Sequence, residues 1–250
     1  MAHVRFASVA ITVILAAAWP VSADDADAKA IIEKAIKAHG GLDNLAKFTG
    51  GSVTFKGTFY GMGEGLPMSG TVTVSGRDKQ KVDLEIEVAG QKFAVVVVLA
   101  GNKGWTKFDK EVKDMDADEV AEAREQAYAA WVATLAPLSG KQFQFAKIGD
   151  VEINNRKAVG VKVSSKGHRD VDLYFDKETF LLVKIETIVK DDMSGKEVIE
   201  ENFPSQYKDV QGTKQAVKFV VKRDGKLFLE GEASEIHLAE KIDDATFAKP

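Results

Sequence analysis

The chain has 250 residues, 45% of them hydrophobic, with 34 lysines and arginines against 38 acidic residues and no cysteine. A formal charge of −4 excludes the basic surface that nucleic-acid binding requires. The missing cysteines exclude disulfide staples and a lipid-modified cysteine anchor, so the fold must rest on its own core.

The first residues read as a leader. Arg5 is the lone cation before the apolar run Phe6 to Trp19, and Pro20-Val21-Ser22-Ala23 gives a breaker with small residues at the −3 and −1 places. The run is shorter than the roughly 20 apolar residues a membrane span needs. Residues 1–23 are therefore expected to be a signal peptide. Residues 24–250 are then expected to form a single domain, exported and soluble after cleavage. Loss of Arg5 takes its charge to −5.

An amphipathic helix is predicted over Asp27 to His39, with Ala28, Ile31, Ile32, Ala35, Ile36 and His39 on one stripe and Gly40 at the stop. A short helical turn, Leu42, Leu45 and Phe48, precedes Gly50-Gly51. Period-two alternation then takes over. Val53, Phe55 and Phe59 alternate, then Val72 and Val74, then Val82, Leu84, Ile86 and Val88, then Phe93, Val95, Val97 and Leu99. Turns at 76–78, 89–90 and 101–104 separate them as hairpins. The unbroken apolar run Ala94 to Ala100 suggests a strand covered on both faces.

A second amphipathic helix interrupts the strands. Asp116 and Glu119 have capping-box spacing, and Val120, Ala127, Tyr128, Trp131, Leu135 and Leu138 follow at three- and four-residue steps. Pro137 and Gly140 end it. Seven further short strands run to the end of the chain, with Asp224-Gly225 the strongest hairpin signal. Without strand–helix alternation, a parallel α/β sheet is excluded. The pattern predicts an α+β fold: one large, curved antiparallel sheet with an N-terminal helix and one inserted helix.

Candidate chemistries are few. His39-Gly40-Gly41 has the look of an esterase oxyanion motif, but it follows a helix, and no serine has glycine neighbours at nucleophile-elbow spacing. It reads as a helix stop. Phosphate cradles sit between a strand and a helix N-terminus, and neither Gly40-Gly41 nor Gly61 to Gly65 does. Asp114, Asp116, Asp118 and Glu125 match the carboxylate places of a calcium loop, but Glu119 replaces its required glycine. The same residues read as the acidic first turn of the second helix. His39, His168 and His237 are too scattered for a zinc motif. The sequence therefore predicts no catalytic residue, no metal and no cofactor, hence a protein that is not an enzyme.

Four stretches carry a resemblance: Ala38, Gly40, Gly41 and Leu45; Tyr174, Phe175, Asp176, Thr179, Leu182 and Lys184; Tyr207, Asp209 and Gly212; Ile242, Asp244, Phe247 and Pro250. In this order the chain resembles exported members of the outer-membrane lipoprotein-sorting superfamily, the LolA/LppX/RseB-like fold. It departs from the pattern in having no proline at 213–216, and its early Arg77 sits in a turn and not on a strand. The resemblance implies an incomplete β-barrel around an apolar cavity, with the inserted helix as a lid. Phe55, Phe59, Val82, Leu84, Ile86, Phe93, Val95 and Val97 would line the cavity, with Tyr128, Trp131 and Leu135 on the lid. It implies a soluble periplasmic carrier for a lipid, a lipidated protein or another apolar ligand such as an acyl chain, meeting membranes only transiently. The alternative it implies is an interaction or envelope-sensing module, as in RseB-like proteins. Alternation alone does not distinguish a filled barrel from a hollow one.

Overall fold

A computed structural model describes residues 23–191 and 194–250. The leader reading lies outside the described residues, apart from Ala23. Helix α1 spans Ala23–Ala38, starting four residues earlier than the apolar stripe suggested, and α2 spans Leu42–Lys47. Six strands follow: β1 Gly50–Phe59, β2 Leu66–Ser75, β3 Lys79–Val88, β4 Gln91–Ala100, β5 Lys103–Phe108 and β6 Glu111–Asp114. Helix α3, Ala117–Ala133, leads to seven more: β7 Phe143–Ile153, β8 Arg156–Ser165, β9 Val171–Asp176, β10 Leu182–Lys190, β11 Glu197–Val210, β12 Thr213–Arg223 and β13 Lys226–Ala239.

All thirteen strands form one antiparallel sheet in the order β6-β5-β4-β3-β2-β1-β13-β12-β11-β10-β9-β8-β7. Two meanders are joined through the β1–β13 pair, and the edge strands β6 and β7 are not paired with each other. The barrel is incomplete, and α3 is the chain's passage from one edge to the other. The whole array is α+β, as the alternation and its turns predict.

Register explains which residues share the inner face. Val53 pairs with Val72, Val72 with Val82 and Val82 with Val97, so one apolar row crosses β1 to β4. The next row runs Phe55, Gly70, Leu84, Val95 and Phe108. Across the β1–β13 seam, Val53 meets Ile236 and Gly51 meets Leu238.

The packed core occupies the other half of that face. Ile32 and Ala35 of α1, with Val132 of α3, press onto Val161 and Val163 of β8 and Val171, Leu173 and Phe175 of β9. The β8 and β9 residues are 0% exposed. A smaller cluster joins Leu99 of β4 to Val120 and Ala127 of α3, so the helix touches both halves of the sheet. Val98 is also fully buried, and the C-terminal 3₁₀ turn Asp244–Phe247 packs on β3 and β4. Double coverage of β4 thus holds at Val98-Leu99, whereas Val95 to Val97 are half-buried.

The α3 capping box forms as spaced. Asp116 accepts from the N–H groups of Asp118 (3.0 Å) and Glu119 (2.9 Å), and Glu119 accepts from the N–H of Asp116 (2.8 Å). The helix stops sooner than its periodicity suggested, at Ala133. Thr134 caps it, and Leu135 takes a left-handed φ of 69° before a 3₁₀ turn over Ala136–Ser139. That conformation costs a branched residue about 1–3 kcal/mol, a cost offset by burying Leu135 in the core.

Candidate functional site: an apolar cavity under a helical roof

Three of the four resemblance stretches meet at one node. At the end of α1 the N–H of Gly41 bonds the carbonyl of Ile36 (2.9 Å), and Gly40 has φ 122°. This is the glycine-terminated stop that the sequence suggested. Gly40 is also a point of close approach, since a Cβ there would lie 2.3 Å from the carbonyl oxygen of Gly212. The N–H of Lys214 donates to the His39 carbonyl (3.0 Å).

His39 is 6% exposed. Its Nδ1–H donates to the Ala35 carbonyl (2.8 Å), which fixes the tautomer, and Nε2 accepts from the N–H of Leu182 (3.4 Å). The Tyr207 hydroxyl donates to the Leu182 carbonyl (2.8 Å), and its ring stands edge-on to His39 with centroids 5.5 Å apart. Burial holds the His39 pKa below its ordinary value against the opposing bond to Ala35, and burial likewise pushes the Tyr207 phenol up. With both ring nitrogens engaged, His39 is a neutral structural tie.

The turn before β10 is built on Asp176. Burial opposes its charge, yet the N–H and hydroxyl of Thr179 (both 2.8 Å), Arg156 (2.9 Å) and the N–H of Glu178 outweigh it and hold the carboxyl below its usual range. The aspartate of that stretch therefore fixes the turn before β10.

Beside this node lies a cavity of about 580 Å³. Its floor is the inner face at the β1–β13 seam: Val53, Val72, Val74, Ile236 and Leu238, with Ile185 and Pro204 farther round. Its roof is helical, from Leu45 and Phe48 around α2 to Ala130, Trp131 and Pro137 along α3 and the 3₁₀ turn.

Polar bonds at the far side of α3 fasten that roof. Glu122 accepts from the Lys190 N–H (2.9 Å) and pairs with Arg169 (2.8 Å). Glu125 accepts from the Arg169 N–H (2.8 Å) and from His168 Nδ1 (2.8 Å), and the His168 ring stacks on Tyr128 at 3.7 Å. Glu125 thus faces the β8–β9 turn while Asp114 pairs with Lys249 at 2.9 Å. The carboxylates spaced like a calcium loop point to different partners. Among the described residues there is no grouping of three or more potential metal ligands.

Of the sequence candidates, Trp131 borders the cavity. Tyr128 and Leu135 lie in the core beside it, 2% and 1% exposed. Phe55 is buried against Phe219, their centroids 5.6 Å apart. Phe59, Val82, Leu84, Ile86, Phe93, Val95 and Val97 are half-buried and sit on the inner face beyond the cavity. His168 lies in the β8–β9 turn, and His237, on β13, borders the same cavity as His39. The lining residues Val72, Val74, Ile236 and Leu238 alternate visibly in their strands. What the sequence lacks is the long-range β1–β13 pairing that brings them together.

No protein-family model and no curated protein matches the sequence. Solved structures do match. A domain from Vibrio parahaemolyticus, classed with the outer membrane lipoprotein-sorting proteins, is 12% identical with a TM-score of 0.54, over 90% of this chain and 97% of that one. A DUF1329 family protein from Desulfovibrio piger is 12% identical with a TM-score of 0.55, over 88% and 97%. A LolA superfamily protein from Nitrosomonas europaea is 13% identical with a TM-score of 0.53, over 89% and 97%. At such identities the likeness is one of fold alone, and the chain shares the fold of these three structures.

Proposed function

We propose that the protein is a periplasmic binding or carrier protein for a lipid, a lipidated protein or another apolar ligand, and that it performs no catalysis. The observation that carries this reading is the 580 Å³ cavity between an open apolar sheet face and a helical roof. Its volume lies in the range of roughly 300–1,000 Å³ typical of small-molecule sites. An acyl chain inserted there gains about 0.8 kcal/mol per buried methylene, before the cost of association. The roof reaches from one sheet edge to the other, so its displacement would open the cavity without unfolding the sheet. The fold shared with lipoprotein-sorting and LolA superfamily proteins supports this reading.

Native mass spectrometry of protein purified from its own envelope tests the proposal. A co-purifying mass with acyl fragmentation is expected, together with uptake of the uncharged dye Nile red by delipidated protein. An apo mass with no dye uptake overturns it. Co-purification of a protein instead would favour the interaction-module reading.

A further inference from the structure

Two hollows in the molecule have opposite chemistry. One, of about 330 Å³, is lined by Lys162, Arg169, Asp170, Asp172 and Glu186. Lys162, Asp172 and Glu186 are cross-strand neighbours one step out of phase with the core residues Val161, Leu173 and Ile185, so that hollow lies on the outer face. The 580 Å³ cavity on the inner face has no carboxylate on its wall among the described residues.

The ionisable residues that border the inner cavity are His39, Lys79, Tyr207, Lys214 and His237. Each is accounted for. His39 has both nitrogens engaged, and the Tyr207 hydroxyl is given to Leu182. The Lys79 ammonium pairs with Asp244 at 2.8 Å and that of Lys214 with Asp209 at 2.7 Å. Those aspartate side chains are 75% and 70% exposed, so both ion pairs stand at the surface. His237 pairs with Ser52, between Ile236 and Leu238 in register, which turns its side chain to the outer face. The polar capacity left at the wall is neutral. The Gln215 Nε2 donates to the Thr213 hydroxyl (3.0 Å), while its Oε1 has no partner among the described residues.

We infer that the cavity selects a lipid with an uncharged head, such as an ester or an alcohol, and rejects the same chain ending in a carboxylate. The inference rests on the carrier reading above. Placing an ionised carboxylate against these walls leaves it desolvated and unpaired, which is heavily penalised. A neutral head asks only for neutral hydrogen bonds: its hydroxyl can donate to the free Gln215 Oε1, and an ester carbonyl can accept from the second Nε2 hydrogen.

The test uses delipidated full-length protein loaded with Nile red, at a pH well above the carboxylate range. Glycerol monododecanoate and dodecanoate, with the same chain, compete for the dye. The ester is expected to displace it at a concentration at least about tenfold lower, roughly 1.4 kcal/mol in binding. Val72→Lys, or Ala130→Lys if the first does not fold by circular dichroism, places a cation on floor or roof and should reverse the order. Equal or tighter displacement by dodecanoate in the wild type overturns the inference and leaves the carrier reading standing. Unreversed preference in a folded lysine variant also overturns it. Failure of the dye and both lipids to bind removes the carrier reading and this inference with it.

Discussion

The two halves of the sheet are built from the same alternating strands, yet one is filled and the other is hollow. Over β7 to β10 the inner face is sealed by α1 and α3, and Val161, Val163, Val171 and Leu173 are 0% exposed. Over β1 to β4 the equivalent residues Val72, Val82, Leu84 and Val95 remain half-buried. The difference arises from helix placement. One helix lies along β7 and β8 in addition to α3, whereas β1 and β2 are roofed only at one end, by α2, α3 and the 3₁₀ turn. Packing is thereby concentrated in one half of a continuous sheet: the filled half holds the fold, and the proposed function places the ligand in the other.

Truncation should separate them most strongly. Leu173→Ala in the filled half is expected to cost about 2–5 kcal/mol, because a closely packed core leaves a cavity behind. Leu84→Ala in the hollow half should cost about 1 kcal/mol or less, since its side chain is already partly in water. Urea denaturation of both variants measures the contrast. Equal losses would mean that the hollow half is packed in solution and would break the comparison.

Gly40→Ala comes next. Its Cβ would collide with the Gly212 carbonyl at 2.3 Å, and φ 122° suits only glycine. A loss of about 2–3 kcal/mol is expected from the strain and displaced backbone. A Tm within a degree of wild type would show that the α1 terminus is not fastened to β12.

How much of this was legible depended on range. The Asp116–Glu119 capping box and the Gly40 stop were readable, because each is decided within about five residues. Strands β5 and β6 were not: Lys103-Gly104 resembled the end of a turn, and six- and four-residue strands leave little alternation to see. The end of α3 was misplaced because apolar spacing continues through Leu135 and Leu138, although the chain turns at Leu135 with a left-handed φ. The cavity was the least legible feature. Alternation identifies the inner face on every strand but says nothing of where a helix crosses it. Phe59, Leu84 and Phe93 therefore looked equivalent to Val72 and Val74, and only the β1–β13 seam and the course of α3 separate them.

Filling the hollow sharpens the comparison without breaking the fold. Val72→Trp projects into the cavity floor and should reduce Nile red uptake at least about tenfold while changing stability by less than about 1 kcal/mol, as surface-like sites tolerate such changes. Undiminished uptake would place the ligand elsewhere on the inner face, against Leu84, Ile86 and Phe93.

The smallest effect concerns pH at the boundary between the halves. Burial lowers the folded-state pKa of His39, so the folded protein resists a proton that the unfolded chain accepts. Above about pH 6.5, the ordinary histidine value, both states are neutral and His39 adds no pH dependence. As pH falls through that value the unfolded state gains the proton first, so stability must decline, and the decline ends only below the lowered folded value. His39→Gln keeps a polar side chain at the helix end and removes this slope. The difference in Tm between wild type and variant should hold constant from pH 7.5 to about 6.5 and shrink from there towards pH 5. A constant difference across the range would mean that the ring is protonated in place, and that the Leu182 N–H is held by some other acceptor.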